Sequence, residues 1–440
     1  MNNELRKLAI PIIIQSLIDF LASSIDSLMI TQLDPSSFSA VSLAAQLFLI
    51  VSLLTGGISG SLNVFASRYY GKKDYASIRA VFSYSLLINL IFNGLIAALC
   101  FLFPSQVMGL LTNNQNLISI GSEYLHLIGI SYLFYGFICV IMELLRSLYD
   151  VNFTTYLSAS ILLLNGLLGY ALIFGKLGFP ALGVKGAAIA SLSARGIQLL
   201  LLSVYLFIKE KTLNLKISEL FHPDRELFPI FIWKAAPIIA NEFIWALGDS
   251  ILVGLVGRLD EDIIQIYSIS RLISSLASVS KTGMISAIVI YMGSRSGAGQ
   301  DLNKELKVVR KAALRDGLME MIFILAYIPF LGMINHLSGP ALSLGIIIML
   351  ETGVIQFFSS VQSMYLMGVL RGLGEIRFGI INDTGWLWFF TLPLSYLFMN
   401  VFHFPFPITF LALKSDQLTK YISSLAWLRR YEKRSDEKVF

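Results

Sequence analysis

Apolar residues run through this chain in long blocks separated by short polar stretches. A helix needs about 20 such residues to cross about 30 Å of hydrocarbon. Twelve blocks meet that length, at 8–33, 38–66, 80–103, 117–143, 154–175, 184–208, 233–257, 264–290, 312–334, 342–368, 379–402 and 405–428. The twelfth contains Lys414, Asp416 and Lys420, and a helix that stopped before Lys414 would be too short to cross. The first follows Arg6 and Lys7 and is too long for the core of a secretion signal, so it reads as the first span.

Composition turns this pattern into a class. Of 440 residues, 56% are hydrophobic and 14% charged, where soluble domains carry about 25% charged residues. An ordinary soluble domain and a disordered chain are both excluded. The expectation is an all-α integral membrane protein with twelve transmembrane helices. Net charge is +5, which suggests no nucleic-acid partner. With the N-terminus in the cytoplasm, 25 of the 33 Lys and Arg residues fall in cytoplasmic segments, three in outer loops and five inside helices. That asymmetry predicts a multi-pass protein of the cytoplasmic (inner) membrane with both termini inside. The basic tail from Arg429 to Lys438 is expected to rest on anionic membrane lipids. Cys100 and Cys139 lie in apolar runs, and the four histidines are scattered. Neither a disulfide framework nor a structural metal site is expected.

The chain also repeats itself. Residues 9–34 align without gaps onto 235–260, with ten identities in 26 positions, among them Pro11/Pro237, Ile25/Ile251 and Asp34/Asp260. Ser67-Arg68 recurs as Ser294-Arg295 at an offset of 227, and the stretch 145–153 recurs as 370–378 at an offset of 225. Each half holds six helices, so the halves share one orientation and form two pseudo-symmetric six-helix lobes. The expected division is 1–208 for the N-lobe, 209–232 for a charged cytoplasmic linker with Pro223 and Pro229, and 233–440 for the C-lobe with its basic tail. Two similar bundles with a cleft between them suit alternating access by rocking.

Ionisable side chains in hydrocarbon are costly and mark function. On the first helix Ser16, Asp19, Ser23 and Asp26 follow steps of three and four and form one polar stripe. On the seventh, Glu242, Trp245 and Asp249 do the same. The eighth carries Arg271, Ser274, Ser278, Lys281 and Thr282. In an antiparallel hairpin, residues at one depth share an index sum. Glu242 with Lys281 gives 523 and Asp249 with Arg271 gives 520, so both acids are expected to pair with bases on the next helix. Shifted by the repeat, the same rule puts Ser42 opposite Asp26 and Leu49 opposite Asp19. The N-lobe acids thus lack that partner and are the better candidates to hold a mobile cation. Arg195 has no obvious partner, Asp19 being one option. Trp245 is a candidate for stacking on an aromatic or cationic substrate.

Several motifs resemble the MATE (multidrug and toxic compound extrusion) transporters. They include Pro11…Gln15-Ser16-Leu17…Ile25-Asp26-Ser27…Met29 and Tyr69-Tyr70-Gly71-Lys72-Lys73-Asp74, whose counterpart is Gly293…Gly297-Ala298-Gly299. Gly183-Val184-Lys185-Gly186-Ala187-Ala188, Pro237…Asn241-Glu242…Trp245…Gly248 and Leu370-Arg371-Gly372-Leu373-Gly374-Glu375 complete the set. The resemblance covers nearly the whole length. It implies a secondary antiporter that exports amphipathic, often cationic organic compounds in exchange for H⁺ or Na⁺, with no other cofactor. It implies that the Asp matching Asp26 is central to coupling, with Asn165 and Ser191 in the same site, and that Glu242 is a second candidate for coupling or substrate charge. Asp19 and Asp249 extend these two groups, and Lys281 and Arg271 are their charge partners. Some members carry an Asp where this chain has Gly169, which leaves H⁺ and Na⁺ both open. The alternative reading is a flippase for a lipid-linked or oligosaccharide precursor. No catalytic or Walker motif appears, so an enzyme is not expected. The chain is expected to act as a monomer.

Overall fold

A backbone in hydrocarbon must satisfy its own N–H and C=O groups, which makes helices obligatory for apolar blocks of this length. The computed structural model describes residues 3–216, 220 and 226–437, apart from the side chains of residues 23, 24, 26–28 and 433–437. Every regular element among them is helical. In chain order the long helices are α1 (Asn3–Ile30), α2 (Pro35–Gly71), α3 (Tyr75–Leu102), α4 (Gln115–Ser147), α5 (Val151–Phe174) and α6 (Val184–Val204). The second set is α7 (Phe228–Val256), α8 (Glu261–Gly297), α9 (Asn303–Tyr327), α10 (Gly339–Ser363), α11 (Ile376–Trp386) and α12 (Ser415–Glu437). By length and composition α2 to α10, counted with the turns that continue them, can cross a membrane.

The ends of these helices follow from local chemistry. Asp34 caps α2 by accepting the Ser37 N–H at 2.9 Å, with Pro35 in the first turn. Asp74 caps α3 in the same way through Ser77. Beyond α10 the helix continues as a π-turn, Met364–Leu370, into Arg371–Leu373 and stops at Gly374, whose φ of 80° is left-handed. Beyond α11 two further π-turns carry the helix to Val401. The twelfth pass is not one unbroken helix. A short helix, Phe406–Leu413, breaks at Lys414 and resumes as α12. Lys420 is held inside α12 because two carboxylates neutralise it, as shown below.

The chain divides into two compact units, Ile14–Ile239 and Met1–Ile13 together with Ala240–Phe440. These are called here the N-unit and the C-unit. The two divisions inside α1 and α7 fall at repeat-equivalent positions, two residues after Pro11 and Pro237. Within the N-unit, Gly57 of α2 faces the Ile239 backbone so closely that a Cβ would lie 2.9 Å from its Cα. Within the C-unit, Gly283 of α8 faces Ile13 in the same way at 2.6 Å. Gly57 and Gly283 are themselves 226 positions apart. The turns repeat too: Lys73 and Gly299 are both left-handed, and so are Tyr149 and Gly374. Residues 217–219 and 221–225 of the expected linker, Pro223 among them, lie outside the described residues, as does the side-chain structure of the basic tail beyond Glu432.

Candidate functional site

In the N-unit, α1 is tied to its neighbours one turn before Asp19. Gln15 Nε2 donates to Ser158 Oγ of α5 at 3.1 Å, and Gln15 Oε1 accepts from Arg146 Nε of α4 at 3.2 Å. Arg146 also pairs with Glu143 at 2.7 Å, and Glu143 accepts from Asn63 of α2. Asp19 itself is exposed on α1 and makes no hydrogen bond or ion pair among the described residues. The base whose charge acts on it, Arg146, is already engaged by Glu143 and Gln15. Arg195 is engaged elsewhere. It donates to Ser131 Oγ at 2.7 Å and lies over the rings of Phe48 and Tyr135, 4.7 and 5.3 Å from their centroids.

The Asp26 side chain lies outside the described residues; one turn further along α1 the packing is described. Ile30 of α1, Val41 of α2, Ile173 of α5 and Ala187 of α6 form one apolar cluster, with Met29 against it. Asn165 is two turns along α5 from this cluster and Ser191 one turn along α6, and both are buried. At Gly169 a Cβ would come 3.1 Å from Met29 Sδ. The two helices touch at this α5 position, and a larger residue there would have to displace Met29.

In the C-unit, Arg271 grips Asp249 with both nitrogens, at 2.9 and 3.2 Å, the pair that the index sum predicts. Glu242 does not pair with Lys281. It accepts from Arg371 at 2.9 Å, while Lys281 donates to Ser359 of α10 at 3.2 Å. The reason is azimuth. At about 100° per residue, Glu242 and Asp249 differ by about 20° around α7, but Arg271 and Lys281 differ by about 80° around α8. An index sum fixes depth and leaves direction free. Trp245 is half-buried against the apolar cluster that includes Leu252 and Leu387.

A larger polar node adjoins Glu242. Asn241 Nδ2 donates to Asp383 of α11 at 3.0 Å, Asp383 pairs with Lys420 of α12 at 2.7 Å, and Lys420 pairs with Asp416 at 2.9 Å. Lys420 is 1% exposed. The repeat relates this node to the one in the N-unit: Gln15 to Asn241, Ser158 to Asp383, Arg146 to Arg371, and Arg195 to Lys420. Both bundles fasten their first helix to the fourth and fifth through the same positions. The N-unit does it with the Gln15 amide and the Ser158 hydroxyl, the C-unit with the Asn241 amide, the Asp383 carboxylate and, one position on, the Glu242 carboxylate.

The MatE family model matches residues 11–171. The chain is 23% identical to a probable multidrug resistance protein NorM of Agrobacterium fabrum, over 84% of this chain and 81% of that protein. It is 24% identical to the multidrug resistance protein PmpM of Pseudomonas aeruginosa, over 89% and 83%. The crystal structure of a MATE protein in the bent conformation superposes with a TM-score of 0.86 at 19% identity, covering 99% of this chain and 96% of that one. The outward-facing structure of a multidrug resistance MATE family transporter of the MOP superfamily gives 0.85 over the same shares. The chain thus carries a match to the MatE family model in its first part and has the fold of MATE transporters over its whole length. It is a multi-pass membrane protein.

Within this MATE fold, the charges that the sequence pattern offers as site candidates lie chiefly on α1, α7 and α8; four further acids and Lys420 are not among them, Asp416 and Lys420 counting there only against the twelfth span. Asp316, Glu320, Asp383 and Asp416 are all buried, and so is Lys420. Two signals pointed to them. Each is an ionisable residue inside an apolar span, and Asp383 and Lys420 sit at the repeat positions of Ser158 and Arg195.

Proposed function

We propose that the protein is a cation-coupled secondary antiporter that exports amphipathic, cationic organic compounds by alternating access of its two halves. The observation that carries this reading is the unequal pairing of the membrane acids. Asp249 is paired with Arg271, Glu242 with Arg371, and Asp383 and Asp416 with Lys420. Asp19 on α1 has no such partner among the described residues. An acid that must bind and release an ion in each cycle works only where no fixed base competes for it.

In this reading Asp26, with Asp19, Asn165 and Ser191, binds H⁺ or Na⁺ on the outward-open side. Occupancy changes the packing of α1 against α5 and α6, and substrate is released outward. The ion then leaves to the cytoplasm, where both termini lie, and the carrier reloads. Glu242, Trp245 and Asp249 form a second locus for substrate charge. There the cationic group of a substrate competes with Arg371 for Glu242. The protein acts as a monomer among membrane lipids.

Reconstitution into proteoliposomes tests this. Uptake of a cationic dye into inverted vesicles should follow an imposed H⁺ or Na⁺ gradient and collapse with an ionophore specific for that ion. Dye movement that is indifferent to both gradients would sink the proposal.

A further inference from the structure

The C-unit holds a second cluster of buried charge that the mechanism above does not use. Asp316 and Glu320 lie one turn apart on α9 and therefore share a face. They are 1% and 2% exposed. Gln356 Nε2 of α10 donates to Glu320 Oε2 at 2.6 Å and to Ser278 Oγ of α8 at 2.7 Å. Ser280 donates to Glu320 Oε1 at 3.5 Å, and Ser360 donates to Asp316 Oδ2 at 3.0 Å. Asp316 Oδ1 has no donor among the described residues. The two carboxyl groups thus lie on one face a turn apart, both buried. Two carboxylates cannot hydrogen-bond to each other, because neither has a donor. A proton on one of them would supply the donor that the buried Asp316 Oδ1 lacks.

The surrounding charges agree. From α8 the base acting on both acids is Lys281, and α10 presents the uncharged Gln356, Ser359 and Ser360. Lys414, at the break before α12, acts on Lys281. With Lys281 charged and both acids ionised, the α8–α9–α10 contact carries one net negative charge where solvation is poor. One proton brings it to neutrality. A metal ion fits the donor set less well. Gln356 places an N–H donor on the carboxylate, where a bound cation needs oxygen. No group of three or more metal-ligating side chains occurs among the described residues.

We propose that Asp316 and Glu320 form a proton-binding site in the C-unit, with Lys281 as its fixed counter-charge and Gln356 and Ser360 holding the two carboxyls in place. One proton is shared between the carboxyls. When it leaves, the departing charge is offset by Lys281. The site is separate from the α1 acids and does not depend on the coupling role given to Asp26.

Infrared difference spectroscopy on the full-length protein in lipid vesicles, stepped between acidic and alkaline pH, reads protonated carboxyl groups directly. The wild type should show a carboxyl band that Asp26→Asn retains and that Glu320→Gln and Asp316→Asn lose. Lys281→Met removes the counter-charge. Its titration midpoint should rise by at least about one pH unit, the scale of one nearby opposite charge. The Lys281→Met variant keeps the proposal testable if Glu320→Gln does not fold. The proposal is overturned if folded Glu320→Gln and Asp316→Asn both keep the band, if the midpoint is unmoved in Lys281→Met, or if Na⁺ at fixed pH, rather than the pH step, produces the signal. Gradient-driven transport by the same vesicles is read separately, so failure here leaves the antiport reading to its own test.

Discussion

The Arg371 guanidinium sits 2.9 Å from the Glu242 carboxylate, joining the end of the tenth helix to the middle of the seventh. Its repeat equivalent, Arg146, reaches Gln15 on the first helix at 3.2 Å. One arginine position thus fastens the leading helix in both bundles, but only the C-unit supplies it with an acid from that helix. In the N-unit the acid is Glu143, three residues earlier on the arginine's own helix. Asp19 of α1 is left without such a base among the described residues, and in this the two otherwise repeated bundles differ.

The Arg371–Glu242 contact should be worth measuring by a double-mutant cycle. Both side chains are partly shielded, at 17% and 24% exposure. Arg371→Met and Glu242→Gln should each destabilise by about 1–3 kcal/mol, the cost of stranding a shielded partner. The double variant should cost less than the sum of the two. Strict additivity in equilibrium unfolding in detergent would show that the contact carries no energy.

Lys420 is the more severe case. It is almost fully buried and serves both Asp383 and Asp416. Lys420→Met leaves two carboxylates without a base and should cost about 3–5 kcal/mol. Combining it with Asp383→Asn should recover part of that loss, because one stranded charge is removed. Arg271 and Asp249 form the contrast. They are more exposed, at 41% and 22%, so Arg271→Met should cost no more than about 1 kcal/mol. The ranking of these variants by unfolding checks the assignment.

How much of this was legible beforehand depends on which physical variable each feature uses. Hydropathy and length fix where helices form, so all twelve apolar blocks coincide with helical segments, nine of which are long and apolar enough to cross a membrane among the described residues. The charges of the twelfth count against it in the sequence, because Lys420 looks unaffordable in hydrocarbon until Asp383 is placed beside it. Depth along a hairpin was readable, and it found Asp249 with Arg271. Azimuth was not, and so Glu242 was matched to Lys281 when its partner is Arg371. The repeat had already aligned Arg146 with Arg371. Which side chains those arginines meet depends on how α1 and α7 are rotated about their axes, and sequence offsets do not carry that.

Gly57 and Gly283 admit Ile239 and Ile13 at backbone contact. A side chain at either position must push the neighbouring helix away. Gly283→Val and Gly57→Val should each destabilise by about 1–3 kcal/mol, the range for overpacking. Gly254→Ala, where nothing lies within 4 Å of the added Cβ, should not. Comparable losses at all three sites would show that close approach is not the cause.

Lys73 adopts a left-handed backbone with φ of 58°, where its repeat partner is Gly299. Its side chain is exposed. Left-handed geometry costs a non-glycine residue about 1–2 kcal/mol, partly offset by the freedom glycine has when unfolded. Lys73→Gly should therefore stabilise by up to about 1 kcal/mol in equilibrium unfolding, and Lys73→Val should destabilise.

The central claim is that an acid of α1 carries the coupling ion, and the most direct measurement is substrate-driven ion flux. Proteoliposomes without an imposed ion gradient are given an outward gradient of a cationic substrate, and the movement of H⁺ or Na⁺ in the opposite direction is recorded. The wild type should move one of these ions against its own gradient. Asp26→Asn should abolish that flux while Lys73→Gly, at an exposed turn, retains it. Ion flux that persists undiminished in Asp26→Asn would contradict the account.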